Sequence, residues 1–202
     1  MHNNQFKLIL ASQSPRRREL LGWTFIPFTI VPSTIEEIVS SSNPLDVVTM
    51  LAKQKASDIF SSYPNDMILG ADTIVVSEGE ILGKPKNVDD ARKMLLRLSG
   101  KTHEVYTGVC LLFQNEEKTF FAKTQVTFRE IASDLLEFYL KTEESLDKAG
   151  AYGIQGASLG FIEKINGSYS NVVGLPVDLV LEKIEEILFP LYGNNWRLCF
   201  QK

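Results

Sequence analysis

Two runs of strand-forming residues stand almost back to back in this chain, EVYTGVCLLF at 104–113 and TFFAKTQVTFREI at 119–131, with only QNEEK between them. Both are rich in β-branched and aromatic residues. A short polar connection allows a hairpin, whereas a parallel crossover needs a dozen or more residues. The pair is therefore expected to be antiparallel. The chain before it reads differently. Strand-like residues 6–11 lead into a short helix over 15–21, strand-like 25–31 into a helix over 45–61, and the apolar stretch 67–76 into a helix over 88–98. Alternating strands and helices pair in parallel. A parallel set followed by a long hairpin gives a mixed sheet, so the expected class is α/β and a purely doubly wound sheet is disfavoured.

Local signals refine this outline. Ser14 and Pro15 read as N-cap and first helical residue. Pro27 is tolerated in the second strand only at an edge or bulge. In the helix over 45–61, Val48, Leu51, Ala52, Ile59 and Phe60 recur at helical spacing. In the helix over 88–98, Ala91, Met94, Leu95 and Leu98 share one face, and Gly100 stops it. The stretch 67–76 reads as a strand pair interrupted at Asp72-Thr73, with a turn at Glu78-Gly79-Glu80. Further on, a helix over 135–141 capped by Ser133, a Gly-rich stretch at 150–160 and a strand over 161–165 are expected. A closing helix over 176–188 should face inward through Val177, Val180, Leu181, Ile184 and Leu188. The tail 190–202 has no assignment, and one domain over 1–202 is expected.

The formal net charge of −4 argues against a nucleic-acid partner. Cys110 and Cys199 form no CxxC pattern, which argues against a structural zinc site, and with His2 and His103 the two histidines a His-rich metal site is excluded. Cys110 lies within an apolar run and reads as a core cysteine. The N-terminal stretch is neither a signal peptide nor a membrane span, so a reducing, cytoplasmic setting is expected. The segment Gly79-Glu-Ile-Leu-Gly83-Lys84-Pro85 is no P-loop, because the spacing is one residue short and Pro replaces the Ser or Thr. The glycines at 150, 153 and 156 do not form a dinucleotide fingerprint.

Four segments carry candidate chemistry. In SQSPRRR a helix starts immediately before three arginines. A helix N-terminus is partially positive, and cations there are unfavourable by ~0.3–1 kcal/mol unless an anion offsets them. A phosphate would do so. Successive helical residues point about 100° apart, so three neighbours cannot all reach one ligand. Arg16 is the first choice and Arg17 the second, with Ser12 in the same loop, while Arg18 reads as surface. The alternative is that all three decorate the surface. In GADTIVV, Asp72 sits between apolar runs and is either a structural turn residue or a metal ligand or general base. Lys84 and Lys55 are natural phosphate cations or ordinary surface lysines. Glu36 and Glu37 form either a solvated acidic pair or a carboxylate near a phosphate-bound cation. In DKAGAYGIQG the small residues allow close backbone approach, and Gln155 can read a base edge with donor and acceptor, although an ordinary ordered loop explains it equally.

Taken in order, LILASQSPRR, GADTIVV, GEILGKP, LSGKTHEVYTGV, DKAGAYGIQG and INGSYSNVVGLP resemble the Maf family of nucleoside triphosphate pyrophosphatases. The resemblance implies hydrolysis between the α- and β-phosphates to a monophosphate and pyrophosphate, with a divalent cation, Mg2+ or Mn2+. It implies an elongated mixed sheet flanked by helices in two lobes around a central cleft, similar to the inosine triphosphate pyrophosphatases. Dimers are common in the family. By position, the catalytic carboxylate falls on Asp72 and the motif Glu, Lys and Lys on Glu37, Lys55 and Lys84. Glu37 and Asp72 are the implied metal ligands, and Arg16, Thr73 and Gln155 are linked to substrate choice. The set resembles the branch acting on dTTP and UTP. Two rival expectations are a non-catalytic nucleotide-binding regulator of septum formation and a pyrophosphatase for inosine or xanthosine triphosphate. Nothing is carried over to the residues after Leu188.

Overall fold

The computed structural model describes residues 6–142 and 144–200. His2 and the last two residues of the tail lie outside them. The strands are β1 (Leu8–Leu10), β2 (Phe28–Ile30), β3 (Met67–Ser77), β4 (Glu80–Leu82), β5 (Thr102–Phe113), β6 (Glu116–Phe128) and β7 (Ile162–Asn166). The helices are α1 (Pro15–Gly22), α2 (Pro44–Phe60), α3 (Val88–Leu98), α4 (Ser133–Leu140), α5 (Tyr169–Val173) and α6 (Val177–Tyr192). The sheet order is β2-β1-β3-β5-β6-β7, with β4 paired to β3. β1 runs parallel to β2 and to β3, placing Leu10 opposite Ile30 and Leu69. β3 and β4, and β6 and β7, pair antiparallel. The sheet is therefore mixed, as the alternation followed by the hairpin requires. β2 is an edge strand and starts after Pro27, which removes the conflict with proline's missing donor.

Three expectations need correction. Asp72 and Thr73 do not interrupt the third strand, which runs unbroken from Met67 to Ser77. The polar pair is tolerated because both residues are half-buried and Asp72 meets a cation, described below. Ser133 is not a cap: Ala132 holds that position without a side-chain bond, and Ser133 is the first helical residue. The closing helix also runs further than its pattern suggested. It continues to Tyr192 through Pro190, and a 3-10 turn over Gly193–Cys199 follows. There Trp196 is buried, and Phe200 bridges to Phe6 with ring centroids 5.1 Å apart.

The chain divides into two compact units. The first comprises the described residues up to Asp72, Thr107–Ala122, and those from Gly174 on; the second comprises Thr73–Tyr106 and Lys123–Val173. In the first unit, Ile9, Ile68, Cys110 and Leu112 pack against Ala52, Ala56 and Ile59 of α2. The helix backbone lies directly on the strands. A Cβ at Gly70 would fall 2.3 Å from the Ala52 carbonyl oxygen, and one at Gly108 would fall 2.3 Å from that of Val48. Burial pushes the Cys110 thiol up to about 11, which is the behaviour of a core cysteine rather than a nucleophile. In the second unit, Ala91, Leu95 and Leu98 of α3 pack with Val105, Val126, Phe128, Leu136, Tyr139 and Phe161. Among the described residues, no helix is long and apolar enough to cross a membrane.

Candidate active site

In the first unit, α1 begins as its sequence dictates. Ser14 is the N-cap and accepts a hydrogen bond from the Arg17 amide at 3.4 Å, and Pro15 follows. α2 and α3 carry Asp46 and Asp89–Asp90 in their first turns, whereas α1 carries only Arg16, Arg17 and Arg18 there. The three diverge as helical geometry demands: Arg16 is half-buried, Arg17 is buried and Arg18 is exposed. Arg17 Nε donates to the Gly174 carbonyl at 2.8 Å, and its Nη1 donates to Ser12 Oγ at 3.3 Å. Ser12 Oγ also accepts from the Ser14 amide at 3.2 Å. Burial lowers the Arg17 pKa from its ordinary value, and the field of Asp72 opposes that effect, followed by Arg16 lowering it and Glu37 raising it. Arg17 thus feels both candidate carboxylates while its guanidinium ties the first loop to the start of the GLP segment.

Lys55 lies between those two carboxylates. Its Nζ is 2.5 Å from Asp72 Oδ1 and 2.8 Å from Glu37 Oε1. The Lys55 and Asp72 side chains are each 15% exposed, while that of Glu37 is 47% exposed, so the trio opens on the glutamate side. Two local devices place it. Asp72 follows Gly70 by two residues and shares its strand face, and Gly70 lets α2, with Lys55, pack against that face. Glu37 stands on an irregular segment that α2 itself holds. Gln54 Nε2 donates to the Ile38 carbonyl at 2.7 Å, and the Ile38 amide donates back to Gln54 Oε1 at 3.0 Å. Ser33 Oγ donates to Asp58 Oδ2 at 2.7 Å.

In the second unit, Thr73 is half-buried, Lys84 is exposed and Gln155 is half-buried. The segments bearing the last two are joined, since the Gly150 amide donates to the Gly83 carbonyl at 3.0 Å. Gly150 has φ 66° and lies close against Val75, whose Cγ2 would be 3.0 Å from an added Cβ. Ser158 Oγ donates to the carbonyls of Gly153 and Gln155, fixing the backbone around the glutamine.

Seven of the nine expected residues therefore fall into three groups: Ser12 with Arg17, Glu37 with Lys55 and Asp72, and the joined segments of Lys84 and Gln155; Arg16 and Thr73 are half-buried beside Arg17 and Asp72 in sequence. Gln54, Gly70, Gly108 and Gly174 escaped the sequence reading, because a polar clamp, a close helix–strand approach and a carbonyl acceptor leave no spacing signature.

Among the described residues, no group of three His, Cys, Asp or Glu side chains gathers as a metal cage. Two carboxylates sharing one cation suit a hard divalent ion that takes its other ligands from phosphate and water.

The fold is shared with a solved structure. The Staphylococcus aureus Ham1 protein superposes with a TM-score of 0.53 at 13% identity, covering 90% of this chain and 99% of that one. The sequence shows the family. The pattern of the family described as Maf-like protein matches residues 7–187. A dTTP/UTP pyrophosphatase from Bacillus cereus strain G9842 is 49% identical over 181 residues, covering 89% of this chain and 95% of its own. One from Bacillus cytotoxicus is 48% identical with the same coverage. The chain belongs to the Maf family.

Proposed function

We propose that this chain is a nucleoside triphosphate pyrophosphatase that hydrolyses dTTP and UTP to the monophosphate and pyrophosphate. The observation that carries the proposal is the Glu37–Lys55–Asp72 trio, whose carboxylates act electrostatically on the buried Arg17 at the start of α1. A lone phosphate-binding module needs cations; it has no need of a half-buried carboxylate held in place by a lysine. The 49% identical relative named for this activity supports the same reading.

Arg16 and the positive end of α1 receive phosphate oxygens, and Lys84 adds a second point charge. Ser12 and Arg17 hold the loop from which α1 and Arg16 start. Glu37 and Asp72 would hold Mg2+ or Mn2+, which when bound neutralises phosphate charge and eases departure of pyrophosphate. Lys55, at 2.5 Å from Oδ1, orients the Asp72 carboxylate. A water oxygen bonds to phosphorus while the bond from that phosphorus to the α–β bridging oxygen breaks. The bridging oxygen keeps the electron pair, and Asp72 accepts the proton of the water. Thr73 and Gln155 contact the base or shape its pocket. The reading includes a cytoplasmic homodimer whose partners are nucleotides, with no nucleic acid and no membrane.

The test is a panel of nucleoside triphosphates with Mg2+ or Mn2+, reading pyrophosphate against orthophosphate. Pyrophosphate from dTTP and UTP is expected, with kcat falling about 10²–10⁴-fold in Asp72→Asn. Absence of turnover would favour the septum-related regulator. Preference for inosine triphosphate would favour the second rival, and orthophosphate alone would refute the cleavage position.

A further inference from the structure

The second unit contains a polar pair that the mechanism does not use. His103 on β5 is 1% exposed and Tyr152 is 5% exposed. The His103 Nε2 and the Tyr152 hydroxyl oxygen are 2.6 Å apart. Aromatic edges surround them, with the Phe128 ring centroid 4.8 Å from that of His103 and 4.7 Å from that of Tyr152. A box of this kind could be filled with hydrocarbon, and the polar pair carries a desolvation penalty that hydrocarbon would not. Burial holds the imidazole at a pKa of about 4 and pushes the phenol upward, so both are neutral near pH 7. His103 Nδ1 is buried without a partner, so the ring's polar anchoring runs through Nε2.

We propose that His103 and Tyr152 are a positioning pair whose hydrogen bond sets the loop bearing Gln155, and thereby the preference for pyrimidine over purine bases. The inference rests on the function proposed above. The loop needs such an anchor. Immediately before Tyr152, Ala151 stands at φ 63°, a conformation that non-glycine residues keep only when their surroundings over-determine it. Gly150, at φ 66°, is pinned to Gly83 and Val75 on one side. Ser158 fixes the carbonyls of Gly153 and Gln155 on the other. Between these two restraints, the Tyr152 hydroxyl is the directional contact. Ring packing alone permits a tyrosine to slide, whereas a hydrogen bond to Nε2 admits one depth of insertion. That depth sets where residue 155, three positions later, begins the next turn.

The full-length chain carrying Tyr152→Phe, His103→Gln or the double change His103→Leu/Tyr152→Phe is compared with wild type. KM and kcat are measured for UTP and for GTP, together with thermal unfolding midpoints. Losing one neutral hydrogen bond should raise KM for UTP about 3–10-fold in Tyr152→Phe with kcat within twofold, narrowing the UTP-over-GTP preference. His103→Gln, whose amide reaches the same hydroxyl, should restore most of the wild-type KM. The double variant removes both polar ends, so its unfolding midpoint should recover relative to Tyr152→Phe while its KM stays raised. If KM and base preference of Tyr152→Phe match wild type, or if KM recovers with the midpoint in the double variant, the pair is structural only and the proposal fails. No UTP turnover by wild type would overturn both this proposal and the function beneath it; turnover with an unaltered Tyr152→Phe overturns this one alone.

Discussion

Replacing Gly70 by alanine adds one methyl group at the contact between α2 and β3. The new Cβ would lie 2.3 Å from the Ala52 carbonyl oxygen, 2.8 Å from the Ala56 nitrogen and 2.9 Å from the Ala56 Cβ, where ordinary contact begins at 3.4 Å. Two of these three atoms belong to the helix backbone, so no rotamer change relieves the clash and the helix must move away by about 1 Å. Lys55 has a flexible stem and can follow Asp72. Glu37 cannot, because Gln54 clamps its segment to α2 through both its amide atoms. The separation of the two carboxylates therefore widens with the helix. A misplacement of about 1 Å costs on the order of 10²-fold in rate, so kcat/KM for UTP should fall by roughly that factor. Overpacking should cost about 1–3 kcal/mol, and each kcal/mol lowers the unfolding midpoint by about 2–4 °C for a domain of this size. Gly79→Ala is the control. It lies at φ 81° with nothing within 4 Å, so it should cost stability and leave kcat/KM unchanged. Steady-state pyrophosphate release and thermal unfolding measure both. A Gly70→Ala enzyme with kcat/KM within twofold of wild type would refute the link from helix approach to carboxylate spacing.

Arg16→Ala and Arg17→Ala should separate. Arg16→Ala should chiefly raise KM by about 10-fold or more through loss of a charge-assisted phosphate bond. Arg17→Ala should also lower the unfolding midpoint by several degrees, because it removes a buried hydrogen bond to the Gly174 carbonyl and the packing of a buried side chain; equal midpoints in the two variants would refute the division. His103 gives a pH dependence. Its folded pKa, about 4, lies below its ordinary value of 6.5, so the unfolded chain binds the proton first as pH falls. The contribution, up to about 3 kcal/mol, is therefore present above pH 6.5 and lost progressively down to pH 4. His103→Leu lacks it, so the midpoint difference between wild type and His103→Leu should shift in that window, and a constant difference would refute the burial argument.

The sequence revealed those parts of the molecule that are local in the chain. The Ser14–Pro15 start of α1, the span of α3 and the β5–β6 hairpin each follow from neighbours within a few residues. Order along the chain then determined the mixed sheet. The strand through Asp72 looks interrupted in the sequence because the cation that compensates its charge, Lys55, is 17 residues away. The seat of Arg17 is equally invisible in the sequence, although Arg16 remains the first choice for a phosphate. Which arginine turns inward depends on the position of the Gly174 carbonyl, and no periodicity near residue 17 encodes it. The resemblance to the family implied which residues carry the chemistry, and the three-dimensional contacts show how the protein restrains several of them.

The bond from Arg17 to the Gly174 carbonyl spans 157 residues. During synthesis the arginine-bearing helix emerges 157 residues before the acceptor that seats its guanidinium. At a ribosomal rate of about 5–20 residues per second, that interval is roughly 8–30 s. Throughout it the growing chain carries three adjacent cations whose inward member has not yet met its carbonyl. The arginine-bearing start of the candidate site thus waits for a contact made much later in the chain, and nascent chains halted before Gly174 should bind polyanions without discriminating among them.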